Sequence, residues 1–92
     1  MVTITLAKSI ETTNGTVTEV NLDFDSLTGQ DIIEAEKEFS MRGGNAIMKE
    51  NSKMYQGIIA AKVSGIIYDD LLLCTAKDFS NITLQVQNFF YE

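Results

Sequence analysis

The sequence predicts an α+β fold, an N-terminal β-hairpin followed by three to four helices packed as a small bundle. Two observations carry this. Apolar residues alternate with polar ones through residues 1–25 around an Asn14-Gly15 pair, the period and turn chemistry of a hairpin. From residue 28 to residue 92 the apolar residues instead recur at helical spacing, punctuated by Thr-x-x-Asp starts and glycine stops. Ninety-two residues suffice for one domain with a single core.

Val2 to Leu6 alternates β-branched and polar residues, as a half-buried strand does. Residues 16–24 alternate again and place Val20, Leu22 and Phe24 on one face. An isolated hairpin is marginal in water, so that face needs the helices that follow. Thr28 opens the first helix, with Asp31 as capping-box partner and Leu27 and Ile32 as a hydrophobic staple. Ile32, Ala35 and Phe39 form its inward stripe, with Ile33 at the edge. Glu36 falls between Ile32 and Phe39, where it either snorkels to water or pairs with a lysine. Gly43-Gly44 ends the helix after Arg42.

Residues 45–52 read either as an early start of the second helix or as a loop. Ser52 is a serviceable cap for the helix containing Met54, Tyr55, Ile58, Ile59 and Lys62, which Gly65 stops. Ala60, Ala61 and Val63 leave it little polar surface, so a well-buried helix is expected. Residues 66–73 form an apolar turn and a short helical turn. Thr75 and Asp78 then make a second capping box, ahead of a stripe of Phe79, Ile82, Val86 and Phe89 widened by Leu84 and Phe90. This closing helix is the expected organiser of the chain, since its apolar stripe requires a cover.

The function classes narrow by composition. A formal charge of −6 and a single arginine, Arg42, supply few cations to displace phosphate counterions, which argues against nucleic acid. The N-terminus lacks the basic start and apolar run of a signal peptide, and no apolar run approaches ~20 residues, so a cytoplasmic, non-membrane protein is expected. Cys74 is the lone cysteine and there is no histidine, which removes the usual base of cysteine or serine nucleophiles. Cys74 reads as a small buried hydrophobe. Asp31, Glu34 and Glu38 share a helix with spacing able to gather oxygens for a hard cation, but a solvated face explains them better and no metal is expected. The expectation is a non-enzymatic protein without cofactors.

Asp25-Ser26-Leu27 followed by Ile32, Ile33, Ala35, Glu36, Glu38 and Phe39 resembles the attachment region of acyl carrier proteins. That resemblance implies a phosphopantetheine arm on Ser26. Carrier proteins, however, have a helix before the serine, where this chain alternates like strands.

A broader resemblance spans nearly the whole chain. Val20-Asn21-Leu22-Asp23-Phe24, then Leu27-Thr28-Gly29-Gln30-Asp31-Ile32-Ile33-Glu34-Ala35-Glu36-Lys37, Ala61-Lys62-Val63-Ser64-Gly65, Tyr68-Asp69-Asp70-Leu71, Lys77-Asp78-Phe79, Val86 and Phe89-Phe90 follow in the order found in tail assembly chaperones of long-tailed phages and prophages. The chain resembles their short form. The resemblance implies a protein that binds the tape-measure protein and helps recruit the tail tube protein, alongside a longer form of itself made by frameshifting. Met54, Tyr55, Phe89, Phe90 and Tyr91 are the candidate partner-binding residues, because Met and aromatic side chains suit adaptable apolar grooves. The same apolar surface also suits a homo-oligomer or a self-associating structural protein of the virion.

Overall fold

A computed structural model describes residues 1–45 and 48–91. The chain forms β1 (Val2–Thr12), β2 (Gly15–Leu22), a 3-10 turn (Phe24–Ser26), α1 (Gly29–Met41), a second 3-10 turn (Lys49–Asn51), α2 (Lys53–Ser64), α3 (Tyr68–Leu71) and α4 (Ala76–Phe90). The α+β architecture expected from the sequence is the one observed: an antiparallel two-stranded hairpin followed by four helices, one of them a single turn. No helix among the described residues is long and apolar enough to cross a membrane.

The hairpin departs from its sequence reading at both ends. The turn residues are Thr13 and Asn14, not Asn14 and Gly15, since Thr12 pairs with Gly15. Neither turn residue needs a positive φ, and Gly15 takes it just after the turn, at 112°. The Thr12 hydroxyl fixes the turn locally, donating to the Gly15 carbonyl at 2.8 Å and accepting from the Asn14 N–H at 3.1 Å. Val20 and Leu22 face the core as expected, but Phe24 has left the strand for the 3-10 turn. There the Asp23 N–H donates to the Val63 carbonyl at 3.1 Å, diverting the chain from the strand onto α2.

β1 is twice the expected length and carries a break. Thr5 pairs with Glu19 and Ile10 with Val17, so residues 6–9 of β1 stand opposite Thr18 alone. This is a bulge several residues wide, and its unpaired amides need acceptors from elsewhere. Leu6, the first residue of the bulge, and Ile10, just beyond it, both remain buried.

Both ends of α1 match their sequence signals. The Thr28 hydroxyl accepts from the Asp31 N–H at 3.2 Å and the Thr28 N–H donates to the Asp31 carboxylate at 3.0 Å, a complete capping box. Gly43, at φ 86°, follows the Arg42 C-cap. Ala35 and Phe39 are buried and Ile32 half-buried. Beyond α1, the ambiguous stretch 45–52 contains the Lys49–Asn51 turn, while Ala46 and Ile47 lie outside the described residues. Ser52 occupies the N-cap of α2 without a side-chain cap bond.

The centre of the molecule is α2, not the closing helix. Residues 55–60 are buried without interruption, along with Val63, because α2 packs against α1, α3, α4 and β2 together. The burial expected of α2 from its scarce polar surface is observed, but a helix enclosed on all sides shows little amphipathic contrast, so periodicity singles out α4 as the organiser. Gly57 permits the enclosure: a Cβ there would lie 2.8 Å from the Tyr68 ring and 2.9 Å from Phe79. In α4, Ile82 and Val86 are fully buried and Phe79 half-buried. Leu84 is not part of the stripe, being 49% exposed. Two residues beyond Ile82 it points to the far side of the helix, and Thr83 takes the buried position instead.

Candidate partner-binding surface

The five candidate residues disperse. Tyr55 is 1% exposed, a core residue rather than a surface one. Its ring meets Phe39 edge-on at 5.9 Å and Phe90 at 6.0 Å, and burial pushes its phenol up to about 12. Met54 is half-buried against the core, and so is Phe90. Phe89 is stacked on Phe24, with ring centroids 4.7 Å apart and planes within 7°. Tyr91 alone is exposed, and its hydroxyl donates to the Asn51 side-chain carbonyl at 2.6 Å. The closing turn is thus engaged by the chain itself, which leaves the region around Phe89, Phe90 and Tyr91 a smaller apolar surface than its composition suggests.

What remains there is a cleft of about 250 Å³ beside the stacked rings, lined by Met1, Val2, Phe24, Asp25, Gln85, Asn88 and Phe89. Its lining is about as polar as it is apolar. A second concavity lies on the outer face of α1. Ile33, Glu36, Lys37, Ser40 and Met41, with Lys49 from the following 3-10 turn, line an open groove of about 470 Å³ whose surface is mainly apolar. Ile33 is 49% exposed and Met41 is 87% exposed. At 100° per residue, the α1 members of this groove span about 140°, adjoining the Ala35–Phe39 stripe at Glu36 and running round to Met41 on the far side. Glu36, placed ambiguously by sequence, turns out to be a half-buried member of this lining without an ion pair among the described residues.

Sequence reasoning located Ile33 only as an edge residue and missed Met41 and Lys49. The available signal was apolar residues at 33 and 41, on the side of α1 that the inward stripe leaves free. Met41 was concealed by its position in the last turn, where exposed apolar residues are ordinary.

The charged groups of α1 are locally satisfied. Asp31 is held below the usual carboxylate range, chiefly by the Thr28 backbone N–H. Lys62 donates to Glu34 at 3.3 Å, and Arg42 donates to Glu38 at 2.9 Å and to Asp69 at 3.2 Å. Arg42 also sits over the Tyr68 ring, 4.6 Å from its centroid, tying α1 to α3. Among the described residues no group of three or more His, Cys, Asp or Glu side chains is arranged to hold a metal. Ser26 is exposed in its 3-10 turn, its hydroxyl donating to the Asp23 carbonyl at 2.8 Å. It is separated from α1 and preceded by strands.

The most unusual polar group is one that sequence reading assigned elsewhere. Asp78 does not close a capping box on Thr75. The Thr75 hydroxyl accepts from the Asp78 N–H at 3.2 Å, but the Asp78 carboxylate turns away to β1. It accepts from the Ala7 N–H at 3.0 and 3.1 Å and from the Lys8 N–H at 3.3 Å, satisfying two amides of the bulge. Those backbone bonds hold it below the ordinary carboxylate range although it is only 2% exposed. Its charge joins burial in pushing the neighbouring Cys74 thiol up, so that thiol stays protonated at neutral pH. Comparison with protein-family models, curated proteins and solved structures returns no match.

Proposed function

We propose that this chain is a non-enzymatic assembly chaperone of the phage tail type, and that the groove on α1 receives an amphipathic helix of the tape-measure protein. The observation that carries the reading is the groove itself. It is the more apolar of the two concavities, open along α1, and furnished with a flexible methionine side chain that adapts to different apolar ridges. Laying an apolar helical face into such a groove is a common mode of peptide recognition. The order of elements, a hairpin and then helices, agrees with the frame of the family that the sequence resembles. The carrier alternative is less favoured, because Ser26 follows a β-hairpin and does not begin a helix.

Co-expression with the tape-measure protein encoded downstream tests the proposal. A soluble complex that co-purifies is expected, and Met41→Glu is expected to abolish it while leaving the circular dichroism spectrum unchanged. A tape-measure protein that stays insoluble and never co-purifies overturns the proposal. Recovery of the chain in purified virions assigns it instead to a structural part of the particle. Transfer of a phosphopantetheine group to Ser26, read by intact mass after incubation with a transferase and coenzyme A, restores the carrier alternative.

A further inference from the structure

Among the residues that line the α1 groove, two lysines stand against one carboxylate, the opposite balance to the chain as a whole. The formal charge of the protein is −6. On α1, however, the acids next to the groove are already engaged: Asp31 in its capping box, Glu34 with Lys62, and Glu38 with Arg42. Lys37 and Lys49, both in the groove lining, have no ion pair among the described residues. Glu36 is the one carboxylate among the lining residues.

Distance decides which charge a ligand feels. At physiological ionic strength, exposed charges more than about 8 Å away are largely screened. A helix seated across Ile33 and Met41 therefore meets the two lining lysines at close range, while the nearby Glu34 and Glu38 are each already opposed by a cation, Lys62 and Arg42. We propose that the groove selects an amphipathic helix whose apolar stripe is flanked by acidic residues. The stripe covers Ile33 and Met41, and the acidic flank faces Lys37 and Lys49. A helix with a basic flank would place like charges together and strip water from the lysines without compensation, which is how an interface discriminates against a wrong partner. This inference rests on the helix-binding reading of the groove and specifies the chemistry of the bound segment.

The test uses the full chain and two labelled peptides with the same leucine stripe, one flanked by glutamate and the other by lysine. Fluorescence anisotropy at physiological salt is expected to show the glutamate peptide binding roughly tenfold tighter, a ratio within reach of two close charge pairs. In Lys37→Glu/Lys49→Glu the preference is expected to reverse, with an unchanged circular dichroism spectrum certifying the fold. Equal binding of both peptides, or a preference for the lysine peptide in the unaltered chain, overturns the charge inference. If that binding is still lost in Met41→Glu, the groove stands as a helix site. Binding of neither peptide, or binding indifferent to Met41→Glu, overturns the groove reading as well.

Discussion

The N-termini of α1 and α4 begin with the same local sequence pattern, a threonine followed three residues later by an aspartate, and they use it differently. At α1, Thr28 and Asp31 exchange two hydrogen bonds and complete a self-contained cap near the surface. At α4, the Thr75 hydroxyl makes its half of the cap, while the Asp78 carboxylate crosses to β1 and accepts the amides of Ala7 and Lys8. The difference follows from what each helix start faces. α1 emerges into solvent, where the nearest unsatisfied donor is its own cap. α4 starts against a strand whose register break has left two amides without ladder partners. A carboxylate goes where the donors are. One motif therefore yields a local stop signal in the first case and a long-range tie between hairpin and helices in the second.

The comparison is most sharply broken at Asp78. Asp78→Ala leaves the Ala7 and Lys8 amides without acceptors in a confined site, and the thermal midpoint should fall by on the order of 10 °C. Asp31→Ala should lower it far less, because water reaches the freed Thr28 amide. Equal losses in the two melts would show that the bulge contact contributes nothing beyond an ordinary cap. Gly57→Ala probes the second anchor at the same end of α4. The added methyl must displace the Tyr68 and Phe79 rings, and overpacking outweighs the gain in helix propensity by about 1–2 kcal/mol, measurable by urea denaturation. Thr28→Ala isolates the self-contained cap and should cost no more than about 1 kcal/mol in the same assay.

The smallest effect appears in acid. The carboxyls of Asp31 and Asp78 are both held below their ordinary value in the folded state. A lowered folded value means the stabilisation is fully present above the unfolded value of about 4 and is lost as pH falls through the folded one. Stability plotted from pH 5 downward should therefore fall less steeply in Asp78→Asn than in the unaltered chain. An identical slope would show that the carboxylate titrates alike in the folded and unfolded states.

Local signals in the sequence were accurate where the structure is local. The hairpin, the Thr28–Asp31 box, the glycine stops at Gly43 and Gly65 and the buried Ile82 and Val86 all follow from spacing within a few residues. What escaped depends on residues distant in sequence. Asp78 meets donors seventy and seventy-one positions away, and no short window of sequence contains them together. Tyr55 looked like a flexible contact residue because periodicity reports that a face is covered without saying by what, and here Phe39 and Phe90 cover it. The groove escaped for the complementary reason. Ile33 and Met41 were visible as apolar residues, but only the packing of α1 through Ala35 and Phe39 shows that their side of the helix is left uncovered.

The break in β1 has a consequence for how copies of this protein behave in a crowded solution. A two-stranded sheet has little interior and much edge, and β1 opens with the β-branched run Val2-Thr3-Ile4-Thr5, the composition that templates strand addition and cross-β growth. A growing stack demands unbroken register along its strands. Residues 6–9 interrupt that register in the middle of β1, and two of their amides are already occupied by Asp78. The carboxylate that ties helix to hairpin thus also takes two donors away from the strand, and Asp78→Ala, where it folds, should form thioflavin-positive aggregates sooner than the unaltered chain.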